Sequence, residues 1–231
     1  MLLMRRLFFS LLLSWILSSG CFAGKVQADT PLNILLITAD DLGLQLSCYG
    51  DNVIATPHLD ALASSGVRFE VAYVAQASCS PSRSAMFTGT FPHTNGQIGL
   101  ANRDFAMHKE FHNRTLVHYL KQANYRTGII GKLHVAPESE FPFDFRPKVN
   151  TRIVRDVARQ ADVFLSDASE EPFFLMVNYS DPHAYRTSRQ SNDWYFPAQI
   201  DGLPKEPIKK GDAPAWPFQG IAAEEQLKKV A

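Results

Sequence analysis

Apolar positions fall into four short runs that predict strands. The runs from Asn33 to Thr38 and from Phe173 to Val177 are almost continuous, which is typical of strands buried on both faces. A shorter run from Thr127 to Ile130 predicts another strand, and the alternation of apolar and polar residues from Val67 to Val74 predicts a fourth. The chain between residues 33 and 184 therefore contains the strands of at least one sheet.

Helical spacing, or helix start and stop signals, occupies the segments between these strands. Thr56 and Pro57 form an N-cap and a first helical residue, and Ser80 with Pro81 forms a second helix start. The predicted helices run from Thr56 to Ala63, from Ser80 to Gly89, from Thr115 to Ala123 and from Thr151 to Leu165. Strands that alternate with helices predict an α/β fold with a mostly parallel sheet and helices on both faces.

Composition and charge narrow the class of protein. The chain has 231 residues, of which 45% are hydrophobic, and this is enough for one sizeable core. Its 23 basic residues balance 23 acidic residues, which removes the basic footprint of a nucleic-acid-binding protein. Three cysteines, Cys21, Cys48 and Cys79, are too few for a disulfide-rich scaffold. The expectation is an ordinary globular domain.

The first 28 residues have the layout of a secretory signal peptide. Arg5 and Arg6 precede an apolar run from Leu7 to Leu17, and small residues follow it up to a cleavage site after Ala28. We therefore expect export to a periplasm, a lysosome or the cell exterior, without membrane attachment after cleavage. The alternatives are an uncleaved anchor or a lipoprotein attached through Cys21, but the position three before that cysteine is a serine.

Residues whose side chains can take part in catalysis or bind metal ions follow three of the four predicted strands. They are Asp40 and Asp41 after the first strand, Lys132 and His134 after the third, and Asp181 and His183 after the last. In open α/β sheets, ligands bind beyond the carboxyl ends of the strands. The sequence therefore predicts that acids, a lysine and two histidines meet at one edge of the sheet.

Each of these groups has a functional and a plain structural interpretation. Asp40 and Asp41 repel each other unless a cation neutralises them, and their oxygen ligands suit Ca²⁺ or Mg²⁺, but the same pair is also typical of a turn. Lys132 and His134 face one site if the segment is extended, or are a solvated lysine and a surface histidine. The loop at 93–96 lines the same pocket or is an ordinary polar loop.

Cys79 lies beside a predicted helix start. Ser80 and Pro81 place it at the positive N-terminal end of the helix, where an anion binds and a thiol pKa is lowered. Arg83, one turn into the helix, reaches the same anion. The alternatives are a half-cystine paired with Cys48, and a plain catalytic thiol that uses one of the two histidines at the sheet edge as its base.

In combination these motifs resemble the sulfatase family. The family hallmark Cys-x-Pro-Ser-Arg is matched by Cys79, Pro81, Ser82 and Arg83, and the Thr-Gly that follows it in the family is matched by Thr88-Gly89. The family's paired aspartates are matched by Asp40-Asp41. Its Gly-Lys-x-His element is matched by Gly131, Lys132 and His134, and its later histidine element by Asp181-Pro182-His183. The resemblance covers most of residues 31–185. It implies an alkaline-phosphatase-like α/β sandwich with a mostly parallel central sheet, here as its N-terminal portion only.

Four stretches resemble the sulfamidase branch of this family, which removes N-linked sulfate. They run from Ala55 to Ala63, from Ser78 to Arg83, from Arg126 to Lys132 and from Pro142 to Phe145. The first stretch recurs in other sulfatases. An O-sulfatase that acts on a different sulfated carbohydrate is therefore the alternative within the family.

The resemblance implies a mechanism for these residues. A formylglycine-generating enzyme would oxidise Cys79 to formylglycine, whose hydrated aldehyde attacks the sulfur of a sulfated saccharide. One Ca²⁺ ion would be held by Asp40, Asp41 and the residue at position 79. The implied roles of the others are to steady the hydrate (Arg83), bind a sulfate oxygen (Lys132), act as base in the second step (His134) and protonate or orient the leaving group (His183).

The family pattern is incomplete in this sequence. The resemblance implies a further Asp-Asn or Asp-His metal-ligand pair and another basic residue beyond His183, whereas Asn192-Asp193 has the reversed order. We therefore expect residues 31–231 to be a sulfatase N-terminal catalytic domain that is truncated at its C-terminus. It is either a fragment of a longer enzyme or a truncated, inactive remnant.

Overall fold

The computed structural model describes residues 31–183, except positions 52, 54 and 168, and two short segments at 185–186 and 194–195. The predicted signal peptide at 1–28 and the Asn192-Asp193 pair lie outside these residues. Every described helix and strand belongs to the unit Leu32–Ala231. None of the described helices has the length and apolar character needed to cross a membrane.

Three parallel strands form the central sheet. They are β1 (Ile34–Asp40), β2 (Arg126–Gly131) and β3 (Phe173–Pro182), and their order across the sheet is β1-β3-β2. Two further strands, β4 (Tyr185–Arg186) and β5 (Trp194–Tyr195), pair antiparallel outside this sheet. The predicted parallel sheet is confirmed, and the last of its three strands along the chain occupies its centre.

The four predicted helices are confirmed, with shifts of a few residues at their ends. The described helices are α1 (Pro57–Ser65), α2 (Cys79–Thr88), α3 (Pro92–Asn95), α4 (Leu116–Gln122) and α5 (Val154–Leu165), of which the short α3 was not predicted. Four 3₁₀ turns lie at Ser47–Tyr49, Ala101–Arg103, Lys109–Phe111 and Glu138–Glu140. Gly89 ends α2 at φ +67°, a left-handed conformation that glycine adopts without strain, and its N–H donates to the carbonyl of Ala85.

The core lies on both faces of the sheet, because successive residues of β3 point to opposite sides. On one face, Phe174 and Met176 pack in a cluster that also holds Phe87 of α2 and Val117 of α4. On the other face, the cluster consists of Ile130, Val157, Phe164, Leu175 and Val177, which brings α5 against the sheet. The apolar run predicted as a doubly buried strand is therefore buried on both sides.

The strand predicted from Val67 to Val74 is wrong. This segment is an exposed loop, and its alternating apolar side chains Val67, Phe69, Val71 and Tyr73 are 84%, 70%, 66% and 92% exposed. A strand requires a neighbour for its backbone hydrogen bonds, and no strand in the described part of the chain pairs with this one. The alternation of apolar and polar residues therefore does not produce a strand here.

The two outer edges of the sheet differ. Beside β2, the segment at Phe145 pairs with the strand: the N–H of Ile129 donates to the Phe145 carbonyl at 2.9 Å, and the N–H of Phe145 donates to the Thr127 carbonyl at 3.1 Å. On β1, the side chains of Leu35 and Ile37 are 51% and 58% exposed. One edge is thus covered, and the other carries apolar surface that faces solvent.

Candidate active site

The carboxyl ends of the three parallel strands bring the predicted polar residues to one edge of the sheet. Asp40 is the last residue of β1 and is 8% exposed, Lys132 directly follows β2, and His183 directly follows β3. The ammonium group of Lys132 donates a hydrogen bond to Oδ2 of Asp40. A buried carboxylate is thereby paired with a cation, as its removal from water requires.

Cys79 is the first residue of α2, whose N-terminal end faces the same edge. The side chains of Cys79 and Cys48 are half-buried free thiols, so the alternative of a disulfide between them is wrong for this structure. Cys79 Sγ lies within 4.8 Å of a ligand atom of Asp40 and of His183, which are themselves within that distance of each other. The helix N-terminus adds partial positive charge beside the thiol.

Arg83 joins the helix to the sheet. Its side chain is buried, its Nη1 donates to the carbonyl of Lys132 at 2.8 Å, and its Nη2 lies 3.9 Å from Oδ1 of Asp40. Burial lowers the pKa of the guanidinium, while the charges of Asp40 and Cys79 oppose that change. The guanidinium therefore lies next to the thiol and the carboxylate, where it contributes positive charge.

His134 lies beside these cations in an unusual backbone conformation. Burial lowers the pKa of its imidazole below the usual 6.5, the charges of Lys132 and Arg83 lower it further, and Asp40 opposes them. A neutral imidazole at neutral pH is able to accept a proton. Its φ is +53°, so the alternation of an extended segment, which was the reason to place His134 with Lys132, does not apply.

His183 faces both aspartates. Its Nε2 lies 3.8 Å from Oδ2 of Asp41, which is 63% exposed and has a φ of +64°. The structure thus groups Asp40, Cys79 and His183 most tightly, with Asp41 at the rim and Lys132, Arg83 and His134 around them. Three side chains that can bind a metal ion therefore lie together at the sheet edge, and three basic side chains lie around them.

Sequence reasoning missed the residues that hold this edge in place. Nη2 of Arg152 donates to the carbonyl of His183 at 2.7 Å, and Nη1 donates to Asp181. Thr151 also bonds to Ser180. Both residues bind the end of β3, and α5 begins after them, at Val154 and not at the predicted Thr151. Their position inside a predicted helix gave no signal of this role.

Asn178 is a further residue that sequence reasoning missed, although the sequence contains a signal for its role. It is fully buried in β3, its Nδ2 donates to the carbonyl of Lys132 at 3.0 Å, and its Oδ1 accepts from Oγ1 of Thr38 at 2.5 Å. An amide that follows a continuous apolar run has to find hydrogen-bond partners inside the sheet. In this structure those partners link the ends of all three strands.

The loop at 93–96 does not contribute side chains to this group. Asn95 is buried and its Nδ2 donates to Oγ of Ser84 at 3.2 Å and to Oγ1 of Thr88 at 3.0 Å. His93 is exposed and stacks on the ring of Phe91. The segment therefore stabilises the end of α2 and has the plain structural role, but the expected loop is wrong, since most of the segment is the short helix α3.

Comparisons with known proteins agree with this arrangement. The sulfatase family model matches residues 32–201. The human N-sulphoglucosamine sulphohydrolase is 43% identical over 161 residues, which is 66% of this chain and 32% of that protein. An N-acetylgalactosamine-6-O-sulfatase of Bacteroides thetaiotaomicron is 40% identical over 125 residues, which is 52% of this chain and 24% of that protein. The chain thus spans about a third of the length of the first of these relatives, and less of the second.

Solved structures show the same fold. A protein in complex with its substrate D-glucosamine-2-N,6-O-disulfate has a TM-score of 0.57 and 28% identity, covering 66% of this chain and 35% of that one. Ps i-CgsB in complex with k-i-k-neocarrahexaose has a TM-score of 0.59 and 28% identity, covering 66% and 45%. The described sheet and its helices are part of an alkaline-phosphatase-like sandwich, which confirms the predicted fold class, and the chain belongs to the sulfatase family.

Proposed function

We propose that the protein hydrolyses sulfate or N-sulfate groups of a sulfated saccharide, with formylglycine made from Cys79 as the nucleophile. The observation that carries this proposal is the position of Cys79 at a helix N-terminus, within 4.8 Å of ligand atoms of Asp40 and His183. A formylglycine-generating enzyme is the partner that this conversion requires. The named activities of the relatives support sulfate removal, and the sulfated carbohydrates in their names support the substrate class.

The first half of the reaction uses the hydrated aldehyde at position 79. One of its hydroxyl oxygens would give up its proton to solvent and form a bond to sulfur, and the bond from sulfur to the saccharide oxygen or nitrogen would break. His183 supplies the proton that the leaving group takes up. Lys132 binds a sulfate oxygen and Arg83 steadies the hydrate, so that both cations stabilise the negative charge on the transferred group.

The second half restores the aldehyde. His134 takes the proton of the remaining hydroxyl, the carbon–oxygen bond to sulfate breaks, and free sulfate leaves. A histidine whose pKa lies below its usual value is neutral at neutral pH, which is the form that a base requires. One water molecule is consumed each time the aldehyde is hydrated again.

The acidic residues at this edge offer the type of ligand atom that Ca²⁺ binds. Asp40 and Asp41 supply the carboxylate oxygens that Ca²⁺ prefers, and an oxygen of the formylglycine at position 79 would be a third ligand. These are fewer than the six to eight oxygens that Ca²⁺ usually takes. The remaining ligands would come from residues other than these. When bound, the ion supplies positive charge that polarises a sulfate oxygen.

The N-sulfate of a glucosamine-type sugar is the favoured substrate, and an O-sulfate ester is the second candidate. The 43% identity to an N-sulphoglucosamine sulphohydrolase over two-thirds of the chain supports the first. The 40% identity to an N-acetylgalactosamine-6-O-sulfatase, over a shorter stretch, supports the second. We further propose that residues 1–28 direct export, so that the protein meets extracellular, periplasmic or lysosomal saccharides.

Sulfate release after co-expression with a formylglycine-generating enzyme tests the proposal. The purified chain is incubated with N-sulfated and with 6-O-sulfated glucosamine, and free sulfate is measured by ion chromatography with and without added Ca²⁺. We expect conversion of Cys79 in the peptide mass spectrum and release from the N-sulfated sugar. Cys79→Ser removes the convertible residue, and Cys48→Ser is the matched control that keeps activity.

Converted protein that releases no sulfate from either sugar contradicts the proposed activity for this chain. Release that survives in Cys79→Ser contradicts the nucleophile. Release from the 6-O-sulfated sugar alone replaces the first substrate with the second candidate.

A further inference from the structure

We propose that the chain with Cys79 still a thiol binds a thiophilic divalent cation of the Zn²⁺ type, through Asp40, Cys79 and His183. A carboxylate oxygen, the Sγ atom and an imidazole nitrogen of these residues all lie within 4.8 Å of one another. The site uses the same edge of the sheet as the proposed hydrolase, but it belongs to a different chemical state of position 79 and takes a different ion. It does not depend on the proposed sulfate hydrolysis.

The donor set selects the ion. Zn²⁺ binds thiolate sulfur at about 2.3 Å and imidazole nitrogen or carboxylate oxygen at about 2.0–2.2 Å in tetrahedral geometry, so atoms that share one ion lie about 3.5 Å apart. The described separations are at most 4.8 Å, so small side-chain rotations bring the three atoms to this distance. Ca²⁺ and Mg²⁺ prefer oxygen ligands only. Three protein ligands with a fourth position for water are typical of an open zinc site.

The three ligands are held by their surroundings. Cys79 begins α2 and Asp40 ends β1, where Lys132 occupies only Oδ2 of the carboxylate. The other oxygen, Oδ1, lies 3.9 Å from Arg83, which is beyond hydrogen-bond distance, so its lone pairs remain available. Arg152 donates to the carbonyl of His183 and fixes the backbone at that ligand. Ligands positioned before the ion arrives lose little freedom when it binds.

The local charge is balanced before the ion binds. Asp40 and Asp41 carry negative charge, and Lys132 and Arg83 carry positive charge. The proton that Cys79 gives up on binding adds one negative charge as a ligand of the divalent ion, while the lysine and arginine oppose the ion. We therefore expect weaker binding than at a structural zinc site.

Binding is a ligand exchange without oxidation. The Cys79 thiol loses its proton to solvent, its sulfur forms a bond to Zn²⁺, and the ion gives up water molecules for the three protein ligands. A chelator reverses the reaction. Because formylglycine has no sulfur, the zinc-bound form and the converted form of the proposed hydrolase exclude each other.

Cobalt spectroscopy on the unconverted protein tests the site. The chain is produced without a formylglycine-generating enzyme, an intact Cys79 is verified by peptide mass, and metals are removed with a chelator. Co²⁺ is then added, and the thiolate-to-cobalt absorption in the near ultraviolet is followed before Zn²⁺ is titrated in to displace it. We expect the absorption in the original chain and in the matched control Cys48→Ser, and its loss in Cys79→Ser.

His183→Gln provides the second arm. Loss of the imidazole should weaken Zn²⁺ binding by roughly tenfold or more, because one of three protein ligands is gone. Absorption that persists in Cys79→Ser, absorption lost in Cys48→Ser, or no thiolate absorption in the folded original chain overturns the proposal. None of these outcomes affects the proposed hydrolysis, which is measured on converted protein.

A measurement on the original chain covers the case in which a variant fails to fold. Zn²⁺ should slow alkylation of Cys79 by a thiol reagent at least tenfold and leave the rate at Cys48 unchanged, with both rates read from peptide masses. Equal protection of both thiols, or of neither, contradicts the site.

Discussion

Along β2 the outer edge of the sheet is covered by the segment at Phe145, whereas along β1 the side chains of Leu35 and Ile37 lie open to solvent. Both strands contain an apolar run, so their different burial comes from what packs beside them. At the end of β2, the main chain of Lys132 accepts hydrogen bonds from Arg83 and Asn178. At the end of β1, Asp40 is buried and bonded to Lys132, and only the next residue, Asp41, is exposed. An apolar run thus determines that a strand forms, and its neighbours determine how much of the strand is buried.

The sharpest test of this difference replaces the same residue type on both sides. Ile130→Ala on β2 removes a fully buried side chain and should lower the free energy of unfolding by about 2–5 kcal/mol. Ile37→Ala on β1 removes a side chain that is 58% exposed and should lower it by less than about 1 kcal/mol. Urea unfolding followed by circular dichroism measures both. Equal losses would mean that β1 is covered in solution.

Two glycines extend the comparison to the backbone. Gly131 ends β2 at φ +97°, and a Cβ there would collide with the carbonyl oxygen of Asn178, so Gly131→Ala should cost about 3 kcal/mol or more. Gly50, at φ +92° after the 3₁₀ turn beyond β1, has open space for a Cβ, so Gly50→Ala should cost only about 1–2 kcal/mol of strain. The same unfolding assay applies. A larger loss at Gly50 would reverse the assignment of the rigid side.

Arg152 offers a smaller and more local effect. Arg152→Gln removes the donors to the His183 carbonyl and to Asp181, and should weaken metal binding at the cluster by roughly tenfold, because outer contacts orient a ligand. Arg159→Gln, an exposed arginine of α5, is the control and should leave the affinity unchanged. Cobalt titration gives the affinities. If Arg152→Lys restores the metal affinity, positive charge alone is sufficient at this position. If it does not, the two donor groups of the guanidinium are needed.

The smallest expected effect is a pH dependence of stability at His134. Its pKa in the folded protein lies below the usual 6.5, so the unfolded chain binds more protons as the pH falls past that value. This contribution to stability is therefore present above pH 6.5 and is lost as the pH decreases. His134→Gln should flatten the fall in unfolding free energy between about pH 7 and 5, measured by urea unfolding across that range. An unchanged slope in His134→Gln would contradict the lowered pKa.

Much of the fold follows from local pattern. The apolar run at Phe173 and the Ser80-Pro81 helix start predict elements that the structure contains, because each depends on nearby residues alone. The order β1-β3-β2 depends on which strands meet in space, and no spacing encodes it. The strand predicted at Val67 failed for the same reason, since its alternation has no paired neighbour among the described residues.

The sequence predicts which residues form the candidate site, but it does not predict the contacts that hold those residues in position. Parallel strands place Asp40, Lys132 and His183 at one edge, as the rule for α/β sheets anticipates. The left-handed backbone of His134 departs from the extended segment that the sequence predicts, and the contact of Arg152 with His183 joins two distant segments. Long-range contacts of this kind leave no mark in a local window of sequence.

The carbonyl of Lys132 accepts hydrogen bonds from both Arg83 and Asn178. These two contacts hold the main chain at position 132, and they do so whatever side chain the position carries. An exchange of the side chain at position 132 therefore leaves the main chain in place, but a side chain without positive charge leaves the buried Asp40 carboxylate without its hydrogen-bonded cation. Arg83 and Asn178 thus fix where position 132 lies, and the lysine itself is needed for its charge.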